Sequence, residues 1–173
     1  MVVEIVNLFT DGSCRSNGKE NSSGGYGVVA FLKDKVNYTH GELSENTTNN
    51  REELKALIHA LELTQTKYRD CLCNIHSDSA YVVNMCNEWI WGWCSRGWLR
   101  AGNKPIENLD LVKEIYKYLT IEFHNFTIYK IKGHAGHLGN EIADALATND
   151  EAKLAKLKKD NEDLFSEEIK FDF

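Results

Sequence analysis

Long apolar runs are missing from this chain. No stretch approaches the ~20 consecutive apolar residues that cross a bilayer, so no membrane partner is expected. A basic leader is missing as well. Glu4 and Asn7 interrupt the start and no Lys or Arg cluster precedes an apolar segment, so no secretory signal is expected. The expectation is an intracellular, cytoplasmic protein, nuclear or organellar placement being left open. The Asn-x-Thr triplets at Asn37, Asn46 and Asn125 then occur by chance. An even cysteine count is missing: five cysteines fit reduced thiols, not a disulfide framework. Cys71 and Cys73 are one residue apart, which suits neither a redox pair nor a zinc knuckle. Positive charge is short, with 20 Lys and Arg against 26 Asp and Glu and a net charge of −6. That argues against holding nucleic acid by bulk electrostatics, but not against a local groove or binding through metal ions. No internal repeat and no long linker divide the 173 residues. Length and composition give one domain with a real core.

What is present reads as a mixed α/β order. Residues 2–11 alternate as a strand. A loop rich in Gly, Ser and Asn follows from Asp11 to Gly27. Val28 to Lys33 and Val36 to Leu43 form two more strands around a hairpin tip at Asp34-Lys35. A helix opens at Thr48–Glu52, where Asn49 and Glu52 resemble a capping box, and Leu54, Leu57, Ile58 and Leu61 make its apolar face. Residues 72–77 are a fourth strand, and Ser79 to about Trp89 begins another helix. All four tryptophans (Trp89, Trp91, Trp93, Trp98) then fall within ten residues. Leu109–Leu119 is a helix, Phe126–Ile131 a fifth strand, Gly133–Gly139 a loop, and Asn140 onward a helix to at least Thr148. Three strands, helix, strand, helices, strand, helix suit one mixed sheet with helices on its faces.

Four carboxylates stand in awkward places. Asp11 ends the first alternating run, Glu53 borders the helix's apolar face, Asp78 closes the fourth strand, and Asp144 interrupts Ile142-Ala143 and Ala145-Leu146. Acids beside apolar runs need partners, because burying an unpaired charge is expensive. No Lys or Arg run accompanies all four. Asp11 and Asp78 would face one another on adjacent strands, ~4.8 Å apart. Like charges that close repel by roughly 4 kcal/mol per pair at an effective dielectric of 20. A divalent cation removes the conflict, and an all-oxygen set suits Mg²⁺ or Mn²⁺ rather than zinc. Four acids around two ions is the recipe for phosphodiester hydrolysis. Taken singly, each acid reads more readily as a turn, cap or helix-dipole residue than as a catalytic one.

The joint pattern is more specific. Thr10-Asp11-Gly12-Ser13, Thr48-Asn49-Asn50-Arg51-Glu52-Glu53-Leu54, Ser77-Asp78-Ser79-Ala80-Tyr81 and Lys132-Gly133-His134-Ala135-Gly136-His137 through Asp144 together resemble type 1 ribonuclease H, in order, over about residues 4–150. Trp89, Trp93, Arg96-Gly97-Trp98 and Lys104-Pro105 resemble that family's handle region. The resemblance implies a ribonuclease H-like fold, a five-stranded mixed sheet of order 3-2-1-4-5 flanked by helices. It implies an endoribonuclease that cuts the RNA strand of RNA/DNA hybrids with two Mg²⁺ ions, Mn²⁺ being possible, leaving 3′-hydroxyl and 5′-phosphate ends. By similarity Asp11 bridges both ions, Asp144 completes the site of the water-activating ion, and Glu53 and Asp78 hold the ion at the leaving oxygen. Glu141 lines the site and assists turnover. His134 helps proton transfer or product release, while His137 supports the loop. His40, His59, His76 and His124 have no partner that the sequence names and read as structural or solvated.

Substrate contacts also come by similarity. Cys14, Ser16, Asn17, Asn49 and Asn50 would read the ribose 2′-OH. Tyr81 and Trp89 would face the DNA strand, with a phosphate near Thr48 and Asn108. Trp93 and Trp98 are expected to be structural and Trp89 partly exposed. The handle from 88 to 110 has no net charge (Arg96, Arg100 and Lys104 against Glu88, Glu107 and Asp110), so weak binding and a shallow salt slope are expected. Asn17 is followed by Gly18-Lys19-Glu20, not by a Pro-Gly turn, which departs from the bacterial pattern. Residues 1–150 are read as the catalytic domain and 151–173 as a helical extension and tail. The tail is either a solvated end or a docking segment that places Leu164, Phe165, Phe171 and Phe173 on the domain or on a replication protein. The protein is expected to be a monomer. The alternative function is a non-catalytic hybrid-binding scaffold on the same fold. A proofreading-type exonuclease is disfavoured because Ser13 stands where such enzymes carry a second acid.

Overall fold

The computed structural model describes residues 2–17, 19–166 and 169. Its main sheet has five strands: β1 (Ile5–Arg15), β2 (Ser23–Leu32), β3 (Lys35–Glu45), β4 (Leu72–Ser77) and β5 (Phe126–Lys130). Their spatial order is β3-β2-β1-β4-β5. β1, β2 and β3 pair antiparallel, whereas β1 with β4 and β4 with β5 are parallel. The sheet is mixed, as expected. The Gly-Ser-Asn stretch is not the loop the sequence suggests. Ser13 pairs Gly25, Cys14 pairs Gly24 and Arg15 pairs Ser23, so β1 and β2 extend into it. Gly25 and Gly27 serve the sheet because a helix packs directly on them. A Cβ on Gly27 would lie 2.2 Å from the Ala143 carbonyl oxygen. The second hairpin turns at Lys33-Asp34, one residue earlier than read from sequence, and both residues have positive φ (52° and 60°), the two-residue type I′ geometry.

The helices are α1 (Asn49–Gln65), α2 (Ala80–Asn84), α3 (Ile90–Ser95), α4 (Leu109–Leu119), α5 (Leu138–Ala147) and α6 (Glu151–Asp160). Thr48, not Asn49, caps α1: its hydroxyl accepts from the Arg51 N–H at 3.2 Å. Asn49 is thereby released to accept from the Cys14 N–H at 2.6 Å. Glu52 forms no capping box either. It is fully buried and bonded to Thr47 Oγ1, Ser44 Oγ and the Lys55 ammonium. A π-helical turn, Met85–Trp89, joins α2 to α3, so helix runs further into the tryptophan segment than expected. The wide turn rotates the faces. Ile90 and Trp93 point into the core, whereas Trp89 and Trp91 stay exposed. A two-residue ladder, Leu99–Arg100 with Lys104–Pro105, closes this region.

Apolar cores lie on both sheet faces. On one, Leu54, Leu57 and Leu61 of α1 meet Val6, Leu8 and Ile75 with Val82, Ile90, Val112 and Ile115. Each fully buried leucine contributes roughly 2 kcal/mol. On the other, Ile142 and Leu146 of α5 meet Val29 and Val36. Asn149, with φ of 53°, ends α5, so α6 is a separate helix and not an extension of it. Leu154 of α6 is buried, and Phe165 packs on Val36 and bridges it in the backbone. Leu164 packs there too. The tail's first anchors therefore lie on the domain itself, while Phe171 and Phe173 lie outside the described residues.

Candidate active site

Register sets the first two acids. Thr10 and Ser77 are the last pair of the parallel β1–β4 ladder. Asp11 and Asp78 therefore emerge side by side where the parallel ladder ends and β4 stops, while β1 runs on beside β2. Asp11 shares side-chain parity with Asn7 and Phe9, the face on which α5 packs through Gly139. Glu53 arrives from α1, and a close backbone contact allows it: a Cβ on Gly12 would lie 2.2 Å from the Glu53 nitrogen. Asp11, Glu53 and Asp78 each present a carboxylate oxygen, and the three oxygens lie within 4.8 Å of one another. Asp144, one turn along α5 from Glu141, comes within hydrogen-bonding reach of Asp11. Three of the four acids named from the sequence thus form a tight cluster, and Asp144 borders it at Asp11.

The electrostatics are those of acids without a cation. Asp11 is pushed up to about 8, first by burial and then by the charges of Asp78 and Asp144. Glu53 is raised well above the usual carboxylate range, by burial and then by Asp11 and Asp78. The neighbouring Gly12 N–H pulls both the other way without prevailing. Glu53 Oε2 is buried and has no hydrogen-bond partner among the described residues. An all-oxygen cluster with a buried unsatisfied oxygen fits a hard divalent cation. The three acids come from separate elements: Asp11 from β1, Glu53 from α1 and Asp78 from the residue after β4.

Around this centre the other expected residues divide into groups. His134 stands in the loop before α5 with φ of 51°, exposed, its Nδ1 3.8 Å from Glu141 Oε1. Cys14, Asn17 and Asn49 are tied together: Asn49 accepts from the Cys14 N–H, and Asn17 accepts from the Asn49 N–H at 3.0 Å. Ser16 turns the hairpin with φ of 58°. Asn50 is exposed beside Asn49, and Thr48 caps the helix they begin. Tyr81 and Trp89 lie together on the handle side with ring centroids 6.1 Å apart. Trp93 is buried behind them and Trp98 packs on Tyr116, the structural roles expected of both. Asn108 caps α4 from a left-handed conformation.

Three residues within or near the quoted motifs had no assigned role. Arg51 donates to Asn108 at 3.3 Å and forms a two-point ion pair with Asp110, joining the starts of α1 and α4. Asn140 is buried and donates to Asp78 Oδ2 at 3.4 Å. Lys153 of α6 places its ammonium 2.7 Å from both Asp144 Oδ2 and Glu141 Oε2. Burial opposes its charge, but the bonds to Asp144 and Glu141 prevail and raise its pKa. Arg51 and Asn140 sit inside quoted motifs, so their position was a signal. Lys153 gave none, because five lysines follow residue 150. Two histidines read as unpartnered also find roles: His59 bonds both Tyr26 and Tyr38 hydroxyls, and His76 stacks on Phe9.

The family model for RNase H matches residues 3–152. A ribonuclease HI of Caulobacter vibrioides is 43% identical over 142 residues, 82% of this chain and 89% of that protein. A ribonuclease H of Caldanaerobacter subterraneus is 39% identical over 154 residues, 88% of this chain and 95% of that one. Among solved structures, LC9-RNase H1, described as a type 1 RNase H with the type 2 active-site motif, superposes with a TM-score of 0.69 at 30% identity, covering 86% of this chain and 72% of its own. The chain therefore belongs to the RNase H family and is a metal-dependent endoribonuclease acting on RNA/DNA hybrids.

Proposed function

We propose that the four acids hold two divalent cations, Mg²⁺ or Mn²⁺, and that the hybrid lies across the surface between the Cys14–Asn17–Asn49 cluster and the Tyr81–Trp89 pair. The observation that carries this reading is the convergence of Asp11, Glu53 and Asp78 oxygens within 4.8 Å. Asp11 would serve both ions, Glu53 and Asp78 would hold the one at the leaving oxygen, and Asp144 would complete the other. The cations supply charge for the phosphoryl oxygens and a more acidic water. The remaining work belongs to the chain. Asn140 steadies Asp78 through its amide. The Asn17–Asn49–Cys14 bonds fix short polar groups on one surface, where the 2′-OH of the RNA strand can be read. Ser16 and Asn50 flank that surface. Trp89 offers a half-exposed ring and Tyr81 a hydroxyl to the DNA strand, with Thr48 and Asn108 near a phosphate. His134 is exposed at the rim, where an imidazole can carry a proton away from the site at neutral pH. Glu141 stands between His134 and Lys153 and assists release.

Working as a cytoplasmic monomer belongs to the same proposal. Five cysteines without a disulfide fit a reducing compartment, and one chain supplies every acid of the site. The test is cleavage of a labelled RNA/DNA hybrid with Mg²⁺, with EDTA, and by Asp11→Asn. Cutting of the RNA strand only with metal and only by the parent chain is expected. Tight binding of the hybrid without cutting would replace this reading by the scaffold alternative.

A further inference from the structure

The four acids are not equally placed. Asp11, Glu53 and Asp78 face one another, and among the described residues no Lys or Arg forms an ion pair with any of them. Asp144 and Glu141, one turn apart on α5, share the Lys153 ammonium at 2.7 Å each. Lys153 is held there by construction. Asp150 caps α6 by accepting from the Lys153 N–H at 2.9 Å, and the adjacent Leu154 is buried under α5. The left-handed Asn149 folds α6 back along α5 to bring this about. A lysine in the first turn of a helix opposes the helix dipole, so its position is not explained by α6 itself. The facing acids explain it.

We propose that Lys153 is a built-in monovalent occupant of the Asp144 side of the site, competing with the second divalent cation for Asp144 and Glu141. This rests on the two-cation reading above. In the metal-free protein the ammonium relieves repulsion on the α5 side. A divalent ion that takes Asp144 must detach or shift it, and does so against a positive charge. The site then fills in two steps: the Asp11–Glu53–Asp78 position at low metal concentration, the Asp144 position at higher. Lys153 is a positioning residue in this account. It sets how much metal the enzyme needs and touches no reacting atom.

The experiment is calorimetric binding of MnCl₂ to the metal-free full-length chain, compared with Lys153→Met, Lys153→Gln and Lys153→Arg. Removing one positive charge a few ångströms from a divalent ion at the solvent-facing edge should tighten the weaker Mn²⁺ step by roughly tenfold in the Met and Gln variants. The stronger step should change much less, and Arg should resemble the parent. Thermal melts without metal should show the Met and Gln variants less stable, the difference shrinking as Mn²⁺ saturates. A structural role in seating α6 would lower stability equally with and without Mn²⁺. That result, or an unchanged or weaker second step in both Met and Gln variants, overturns the inference alone. A parent chain that takes up no Mn²⁺ overturns the two-cation reading and this inference with it.

Discussion

Asp11 concentrates the cost of the site in one side chain. Its pKa, pushed up to about 8 by burial and by Asp78 and Asp144, sets a sign for stability. The unfolded carboxyl titrates near ~4 and the folded one higher. The metal-free fold is favoured by this group below the unfolded value, and that support is lost as pH rises toward 8. Glu53 acts in the same direction. Denaturant unfolding in EDTA should therefore show stability falling by about 1.4 kcal/mol per pH unit for Asp11 between those limits, with Glu53 adding a fall of the same sign. Asp11→Asn should remove the Asp11 share of the slope, leave that of Glu53, and raise the melting temperature of the metal-free chain. The same variant should lose cleavage by roughly 10³-fold or more, about 4 kcal/mol of transition-state stabilisation. A variant both more stable and inactive separates a site residue from a structural one.

At the scale of elements, two contacts fix the acids' carriers. The α5 backbone lies directly on β2, where a Cβ on Gly27 would meet the Ala143 carbonyl at 2.2 Å. Gly27→Ala must push α5 and its Asp144 off the sheet. A loss of roughly 2–4 kcal/mol is expected in chemical denaturation, as for an overpacked core with shifted backbone. On the other face α1 is tied to β2 and β3 through His59, whose ring bonds Tyr26 at 3.1 Å and Tyr38 at 2.7 Å. Burial, and then the neighbouring His40, lower the His59 pKa to about 4. Its contribution is complete above the unfolded value near ~6.5 and is lost as pH falls toward 4. Comparing the parent with His59→Gln at each pH should show the difference in stability shrinking through that window. A constant difference would mean the ring takes up its proton alike in the folded and unfolded chain, with no lowering by burial.

For the whole molecule, the segment after α5 is part of the packed structure. Leu154 and Phe165 are buried, and Phe165 covers Val36 at the sheet edge. Truncation after Asp160 should lower the melting temperature by uncovering Val36, while hybrid cleavage at temperatures well below unfolding persists, since every site acid and Lys153 remain. A truncated chain with unchanged melting would show that this cover contributes little. A replication protein bound by the full chain and not by the truncated one would assign 161–173 a docking role in addition.

The sequence by itself determined the elements and the identity of the acids. Period-2 and period-3.6 patterns placed β4 at 72–77 and α4 at 109–119 with the bounds observed, because alternation and helical spacing are local properties. Motif order named Asp11, Glu53, Asp78 and Asp144. It did not show that Gly12, Gly24, Gly25 and Gly27 belong to strands, because their reason is another element's backbone lying against them. Nor did it assign the cap to Thr48, or distinguish Glu52, which is paired with Lys55, from Glu53, whose buried Oε2 finds no hydrogen-bond partner among the described residues. Lys153 was one lysine among several until α6 folded back along α5. Charge compensation in space depends on which residues become neighbours, and only tertiary packing decides that.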